Sequence, residues 1–387
     1  MITAAIPAVQ LKPVRDLSVD YLRTTLTLMV LAHHSCLAYT SFPGGPIVDS
    51  TKSTFFDYAE NFNDVFFMSL MFFVSGLFVY PALRKHGTVT FIRDRVLRLG
   101  LPFAVAVTVF MPIAYYAAWQ LDPRNTGFLD FYQRLAHRGF EVGPPWFVWV
   151  LLLFDVVLAL ALLPLHRLMP AAGRFMVKLQ TRPIATFALI FLLAAALYLP
   201  LLNRYGFGTW TVLVTPPFAF QICRIGLYAL WFVFGVFVGI PSYSRGLLSR
   251  DGSLARHPRP WMAFCFLAYN ALVFIPRLPI THRLPAFSQG ALEAVLWVIS
   301  CVASSFAFLA LFRGINLTPR AWMISLSRSA YIMYLVHYVF VTWTQRIVLD
   351  RPIPVAIKFL FVFLATTLFS WLTAQALLRI PILNTIL

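Results

Sequence analysis

The sequence predicts an all-α fold, a polytopic transmembrane helical bundle. Hydrophobic residues make up 60% of the 387 residues and charged residues make up 12%, about half of the roughly 25% that is usual in soluble domains. Several apolar runs reach the length of about 20 residues that a helix needs to cross about 30 Å of hydrocarbon. A soluble globular protein is therefore excluded, because most of the chain has the composition of membrane-embedded helix.

Ten apolar runs are predicted to cross the membrane. They cover residues 19–41, 58–83, 96–119, 146–168, 183–202, 218–240, 260–277, 289–313, 328–348 and 353–379. The first run is too long for the apolar core of a cleavable signal peptide, so we expect it to remain as a span. The apolar stretch Trp210–Phe218 is broken by Pro216-Pro217, and we expect a re-entrant or interfacial piece there.

The basic residues predict the orientation of the bundle. The net charge is +17. With both termini in the cytoplasm, the cytoplasmic segments hold about twice as many Lys and Arg residues as the opposite loops. The charge is thus explained by membrane orientation and attraction to anionic lipids, and no nucleic-acid partner is expected. We expect one membrane-embedded domain over residues 1–387, with residues 1–18 as a cytoplasmic segment and residues 120–145 as a lid or partner surface.

The first predicted span carries the clearest functional signal, because it contains Asp20, Arg23, His33 and His34. Ionisable groups inside a membrane are costly and mark functional sites. Arg23 and His34 are eleven residues apart, so they lie within about 20° of one helix face and about 16 Å apart along the axis. One helix face therefore presents a cation at its cytoplasmic end and a proton-transfer group deeper in the membrane. The alternatives are an Arg23 that snorkels and pairs with Asp20, and a hydrogen-bonded structural His34.

A second basic cluster lies at the start of the third span. Arg95 and Arg98 are helix neighbours at i and i+3, and Arg93 is close to them. Guanidinium groups at a membrane mouth suit phosphate recognition by charge and by bidentate geometry. The alternative is a basic anchor on the cytoplasmic side. Asp155, in the fourth span, is interpreted as a helix-packing residue.

These motifs, in this order, resemble the acyltransferase 3 family of membrane proteins. Asp20-x-x-Arg23 followed by His34 is similar to the R-x10-H element of that family, and Arg95-Val-Leu-Arg98 is similar to its R-x-x-R element. Three further segments resemble family patterns, namely Phe72-Phe-Val-Ser-Gly-Leu-Phe78, Pro145-Trp-Phe-Val-Trp149 and Ser329-Ala-Tyr-Ile-Met-Tyr-Leu-Val-His337. The resemblance extends over nearly the whole chain and includes the ten-span count.

The resemblance implies an integral membrane O-acyltransferase of the bacterial inner membrane. Such an enzyme moves an acyl group, acetyl or succinyl and not aminoacyl, from cytoplasmic acyl-CoA to a carbohydrate hydroxyl at the periplasmic or cell-surface side. Arg95 and Arg98, assisted by Arg93, would hold the CoA phosphates. Arg23, oriented by Asp20, would hold the pantetheine end or the thioester region, and His34 would act as the general base, since imidazole titrates near neutral pH. The candidate substrate contacts are Ser75, Trp146, Tyr334 and His337, and the alternative for Tyr334 and His337 is a structural role in the core.

Several alternatives stay open at this point. His33 competes with His34 as the working base because the two form a doublet, although His33 points about 100° away. Transfer proceeds either directly or through an acyl-enzyme. A transporter or exporter of a small anion or lipid-linked sugar would use the same spans and the same polar groups.

The layout resembles the stand-alone, glucan-modifying branch of the family. The four cysteines and eight histidines are scattered, so no metal is expected.

Overall fold

The computed structural model describes residues 16–42, 44–125, 127–165, 167–213, 215–381 and 383, and most of these residues are helical. The helices are α1 (Leu17–Cys36), α2 (Thr54–His86), α3 (Thr88–Trp119), α4 (Phe128–Arg138), α5 (Trp146–Leu165), α6 (Met169–Gln180), α7 (Pro183–Tyr205), α8 (Ile222–Gly239), α9 (Ser253–Arg256), α10 (Pro258–Phe274), α11 (Ala286–Gly314), α12 (Ala321–Val348) and α13 (Val355–Leu377). The strands are β1 (Trp210–Val212) and β2 (Ala219–Gln221).

Eight of the described helices are long and apolar enough to cross a membrane. They are α2, α3, α5, α7, α8, α11, α12 and α13. The other two predicted spans also coincide with helices, namely α1 with 20 residues and α10 with 17 residues. The prediction of an all-α, multi-pass membrane bundle is therefore confirmed, and the part of the chain that the structure describes has a helix at each of the ten predicted positions.

The segment that follows α7 forms a β-hairpin, where the sequence predicted a re-entrant or interfacial piece. Trp210 pairs with Gln221 and Val212 pairs with Ala219 in antiparallel register. The indole Nε1 of Trp149 on α5 donates a hydrogen bond to the Ala219 carbonyl at 3.0 Å, which fixes the hairpin to the bundle. The hairpin therefore packs against the first turn of α5.

The centre of the bundle is built on α2, α8, α11 and α12, which bury the largest share of their spans. Helices α2 and α8 approach most closely at glycines. A Cβ atom on Gly76 would lie 2.2 Å from the Phe232 carbonyl oxygen, and one on Gly235 would lie 2.1 Å from that of Phe73. Small residues of this kind let helix backbones pack closely, which is a main source of helix association in a membrane.

Polar residues join the loops at each end of the bundle. At one end, Asp16 caps α1 by accepting from the Ser18 amide at 3.1 Å and pairs with Arg313 at 2.5 Å. Burial raises the pKa of Asp16, but the Ser18 hydrogen bonds and the Arg313 charge outweigh it and hold that pKa below its ordinary value. At the opposite end, Asp49 binds Lys358 at 2.7 Å. Each pair joins segments that the loop charges had assigned to the same side.

Candidate active site

The polar face of α1 runs along two cavities inside the bundle. Arg23 lines a cavity of about 500 Å³, and His34 lines a second cavity of about 750 Å³ further along the helix. We call them the arginine cavity and the histidine cavity. The eleven-residue spacing predicted that both side chains share one face of the helix, and the structure places them accordingly, one in each cavity.

The arginine cavity collects arginines from two helices. Arg23 comes from α1, and Arg95 and Arg98 come from the beginning of α3. The backbone of α3 is π-helical over Val96–Gly100, a departure from the α-helix that recurs at functional sites. Ser75 of α2 lines the same cavity. Four residues that the sequence singled out thus meet in one place, although they are spread over the first 98 positions.

Arg95 is held on two sides by neighbouring residues. Its Nε atom lies 3.2 Å from Oδ2 of Asp155, which is only 1% exposed, and its guanidinium lies 5.0 Å from the centre of the Phe91 ring. The hydroxyl of Tyr331 donates to the Arg98 carbonyl at 2.9 Å and fixes the next turn of α3. Asp155, interpreted from the sequence as a packing residue, is therefore the counter-ion of a cavity arginine.

Neither Arg93 nor Asp20 is a lining residue of the arginine cavity. Arg93 is exposed and pairs with Asp94 at 3.2 Å, so its side chain does not line the arginine cavity. Asp20 lies one helical turn before Arg23 on α1 and lines neither cavity. The assisting role predicted for Arg93 therefore depends on a side chain that points elsewhere in this structure.

The histidine cavity has His34 at its centre. Nδ1 of His34 lies 3.0 Å from the Val30 carbonyl oxygen and 3.1 Å from Nε2 of His337. Nδ1 of His337 lies 2.6 Å from the Tyr334 carbonyl oxygen. Carbonyl oxygens only accept, so in the neutral imidazoles each Nδ1 carries the proton and donates it. Nε2 of His34 then keeps its lone pair, which is the state required of a general base.

His33 belongs to the same cavity, through a set of charged residues that the sequence did not single out. Its Nε2 atom lies 3.7 Å from Oε1 of Glu60. One turn further along α2, Asp64 accepts two hydrogen bonds from Arg224, one of them at 2.7 Å from Nη1. Arg224 is 2% exposed and enters the bundle at the start of α8. These four residues form a network beside His34 in which His33, Glu60 and Arg224 are buried and Asp64 is partly exposed.

The sequence held a partial signal for this network. Glu60 and Asp64 are four residues apart, so a helix places them on one face. The missing element was Arg224, which lies 160 positions from Asp64, and no periodic pattern joins residues so far apart in the chain.

Aromatic residues complete the histidine cavity. Trp146 lines it and lies 5.5 Å from the ring of Tyr228 and 5.8 Å from the ring of Trp210 on the hairpin. Tyr334 is the one tyrosine among the described lining residues that borders both cavities. The substrate contacts predicted from the sequence therefore lie in different places. Ser75 lines the arginine cavity, Trp146 lines the histidine cavity, and Tyr334 lines both. His337 is hydrogen-bonded to His34.

Fold and site together define a multi-pass helical membrane protein with a basic cavity and an imidazole-containing cavity in one bundle. A family model described as an acyltransferase domain matches residues 16–375 of the chain. The chain belongs to this family, acyltransferase 3, and is a membrane acyltransferase. No curated protein and no solved structure matches it.

Proposed function

We propose that this acyltransferase moves an acyl group from cytoplasmic acyl-CoA to a carbohydrate hydroxyl on the opposite side of a bacterial inner membrane. The observation that carries the proposal is the pair of cavities along one face of α1. Arg23 borders the first cavity and His34 the second, and the two cavities share Tyr334 as a lining residue. A donor bound in one cavity and an acceptor bound in the other would meet inside the membrane without either substrate crossing it.

The arginine cavity suits the CoA donor. CoA carries several phosphate charges, and guanidinium groups bind phosphate with two parallel hydrogen bonds. Arg95 and Arg98 lie at the end of α3 that the loop charges assign to the cytoplasm, so a cytoplasmic cofactor would reach them first. Arg23 lies further in along the face of α1, where the pantetheine and thioester would follow. The transferred group is acetyl or succinyl, and no metal takes part.

The histidine cavity suits a sugar. Hydroxyl groups donate well to carboxylates, and the apolar faces of sugar rings pack on aromatic side chains. The cavity offers both kinds of surface, with Glu60 and Asp64 on α2 and with Trp146, Trp210 and Tyr228 around them. Its 750 Å³ falls within the range of about 300–1,000 Å³ that is typical of ligand sites.

Acyl transfer requires removal of a proton from the attacking hydroxyl. Nε2 of His34 takes that proton while the hydroxyl oxygen bonds to the thioester carbonyl carbon. The carbon–sulfur bond then breaks and the imidazolium returns the proton to the sulfur, which gives the ester and free CoA. In the alternative route through an acyl-enzyme, Nε2 of His34 first attacks the thioester carbonyl carbon and releases CoA. The sugar oxygen then attacks the acyl carbon and releases His34. The same nitrogen acts in both routes.

The test is transfer of a labelled acyl group in proteoliposomes. Labelled acetyl-CoA or succinyl-CoA is supplied on one side of the membrane, glucan or another glycan is supplied on the other, and glycan-bound label is counted. We expect His34→Ala to lower kcat about 10²–10⁴-fold, the usual contribution of a general base. We expect Arg98→Ala to raise KM for acyl-CoA by roughly 10- to 100-fold, since a charge-assisted hydrogen bond contributes about 1.5–3 kcal/mol.

Matched controls are residues of the same type outside both cavities. His282→Ala controls for His34 and Arg256→Ala controls for Arg98, because both residues are exposed and line neither cavity. Both should retain wild-type rates. Full activity in His34→Ala and Arg98→Ala would show that these residues do not form the site.

A further inference from the structure

Three tyrosines on one face of α12 mark the passage from one cavity to the other. Tyr331 lines only the arginine cavity, Tyr338 lines only the histidine cavity, and Tyr334 lines both. Seven residues of helix separate the first from the last, which corresponds to two turns and about 10 Å. The boundary between the cavities therefore crosses α12 at Tyr334.

The other helices place the boundary at the same level. On α1, Thr27 lines the arginine cavity and Val30 lines the histidine cavity. On α5, the consecutive residues Phe147 and Trp146 are divided in the same way. Thr27 and Phe147 thus lie on the arginine side of Tyr334, and Val30 and Trp146 lie on its histidine side.

Tyr334 is fixed in place by contacts at both ends of its side chain. It is 3% exposed, its hydroxyl donates to the Pro144 carbonyl, and its ring lies 5.9 Å from that of Phe147 in an edge-to-face arrangement. The Tyr334 carbonyl oxygen in turn accepts from Nδ1 of His337 at 2.6 Å. The ring is therefore a wall held by α5 and by the loop that precedes α5, and the Tyr334 backbone is joined through His337 to the candidate base.

We propose that Tyr334 is a specificity-determining residue, a partition that limits the size of the acyl group reaching His34 and keeps cavity water away from the donor thioester. This inference rests on the proposed function, because it takes the arginine cavity as the donor site. The acyl carbon lies between phosphates held at Arg98 and a hydroxyl activated at His34, so it has to reach the boundary that the Tyr334 ring occupies.

Removal of the ring has two chemical consequences. A longer acyl group fits where the phenol was, and a single methylene in a fitted pocket changes discrimination by roughly 10- to 200-fold. Water from the histidine cavity also reaches the thioester. Its oxygen bonds to the carbonyl carbon, the carbon–sulfur bond breaks, one water proton ends on the sulfur and the other in the solvent, which yields free CoA and a carboxylate without any acceptor.

The experiment compares acetyl-, propionyl- and butyryl-CoA with wild type, Tyr334→Leu and Tyr334→Phe. For Tyr334→Leu we expect the ratio of kcat/KM for butyryl-CoA over acetyl-CoA to rise by roughly tenfold or more. We also expect acceptor-independent hydrolysis of acetyl-CoA to increase in this variant. Tyr334→Phe keeps the ring and loses only the bond to Pro144, so it should preserve the wild-type ratio.

Tyr331→Leu and Tyr338→Leu are the matched controls, since each removes a tyrosine ring from the same helix face on one side of the boundary. Neither should shift the chain-length ratio by more than about twofold. An unchanged ratio in Tyr334→Leu, or an equal shift in all three leucine variants, would overturn the proposal.

Hydrolysis provides the second readout if Tyr334→Leu transfers no acyl group at all. The Tyr334→Phe ring then still divides the cavities, so faster acceptor-free hydrolysis in Tyr334→Leu than in Tyr334→Phe supports the partition, and equal hydrolysis refutes it. Failure of the proposed function looks different. In that case wild type itself neither transfers nor hydrolyses any acyl-CoA, and CoA does not raise its thermal unfolding midpoint.

Discussion

The arginine cavity and the histidine cavity differ in how far their arginines are paired with carboxylates. In the arginine cavity, the guanidinium of Arg98 is exposed and has no acidic partner among the described residues. In the histidine cavity, Arg224 is buried and both of its terminal nitrogens bind Asp64. One cavity thus presents positive charge to an incoming anion, while the other neutralises its charge internally and leaves imidazole, carboxylate and aromatic groups to face a ligand.

The difference distinguishes an arginine that is available to bind a ligand from an arginine that stabilises the fold. A solvated cation exchanges water for phosphate at little cost, so Arg98 is suited to an anionic donor. A buried pair has already lost its water, and it persists only because each partner satisfies the other. The Arg224–Asp64 pair therefore holds the start of α8 against α2, and it shapes the histidine cavity without adding net charge to it.

The largest effect is expected from breaking the buried pair. Arg224→Met leaves Asp64, whose side chain is 22% exposed in the histidine cavity, without its partner. The loss of one member of a fully buried pair costs about 3–5 kcal/mol. The unfolding free energy in detergent should fall by about the lower end of that range, because the Asp64 carboxylate keeps part of its hydration. Thermal unfolding followed by tryptophan fluorescence measures it, because the Arg224 guanidinium lies 5.1 Å from the centre of the Trp297 ring.

A second substitution separates charge from shape. In Arg224→Met combined with Asp64→Asn, no charge is left without a partner, and most of the lost stability should return. Donor affinity in the arginine cavity should stay within about twofold of wild type in this double variant. A double variant no more stable than the single one would mean that Arg224 acts through its packing on Phe207 and Trp297 alone.

The sequence predicted the arginine cavity better than the histidine cavity, and the reason is the range of the contacts. Arg95 and Arg98 are three residues apart, and Arg23 and His34 share one helix, so helical periodicity alone relates them. The pairing of Asp64 with Arg224 depends on how α2 packs against α8. Such a contact follows from the glycines at that crossing, which a single sequence does not connect to a distant arginine.

Asp155 shows the same limit within the arginine cavity. It was identified as an intramembrane acid, yet its partner Arg95 lies 60 positions earlier in the chain, on another helix. The hairpin β1–β2 was likewise missed, because its strands are three residues long and apolar, and a membrane protein offers many apolar stretches of that length.

The next effect in size is expected where the arginine cavity does contain a paired charge. Asp155→Asn removes the counter-ion of Arg95 but keeps its shape, and a released arginine regains about 2 kcal/mol of rotamer entropy that donor binding must then remove. KM for acyl-CoA should rise about tenfold while kcat stays the same. Steady-state kinetics over a range of acyl-CoA concentrations gives this split.

Arg95→Ala tests whether Asp155 acts through Arg95. If it does, Asp155→Asn adds nothing to Arg95→Ala, and the double variant has the KM of Arg95→Ala alone. A fall of KM in Asp155→Asn would reverse the interpretation, because it would show that the carboxylate competes with the donor phosphates for Arg95.

The smallest effect is expected at His337, where a neutral hydrogen bond orients a neutral base. His337→Leu removes the acceptor 3.1 Å from Nδ1 of His34, and a hydrogen bond of this kind contributes about 0.5–1.5 kcal/mol, so kcat should fall about fivefold. His337→Gln places an amide oxygen near the former Nε2 position and should restore most of the rate. Nitrogen NMR of labelled histidine should show more of the other His34 tautomer in His337→Leu. A tautomer ratio equal to that of wild type would show that the Val30 carbonyl alone orients His34 and that His337 is not needed for it.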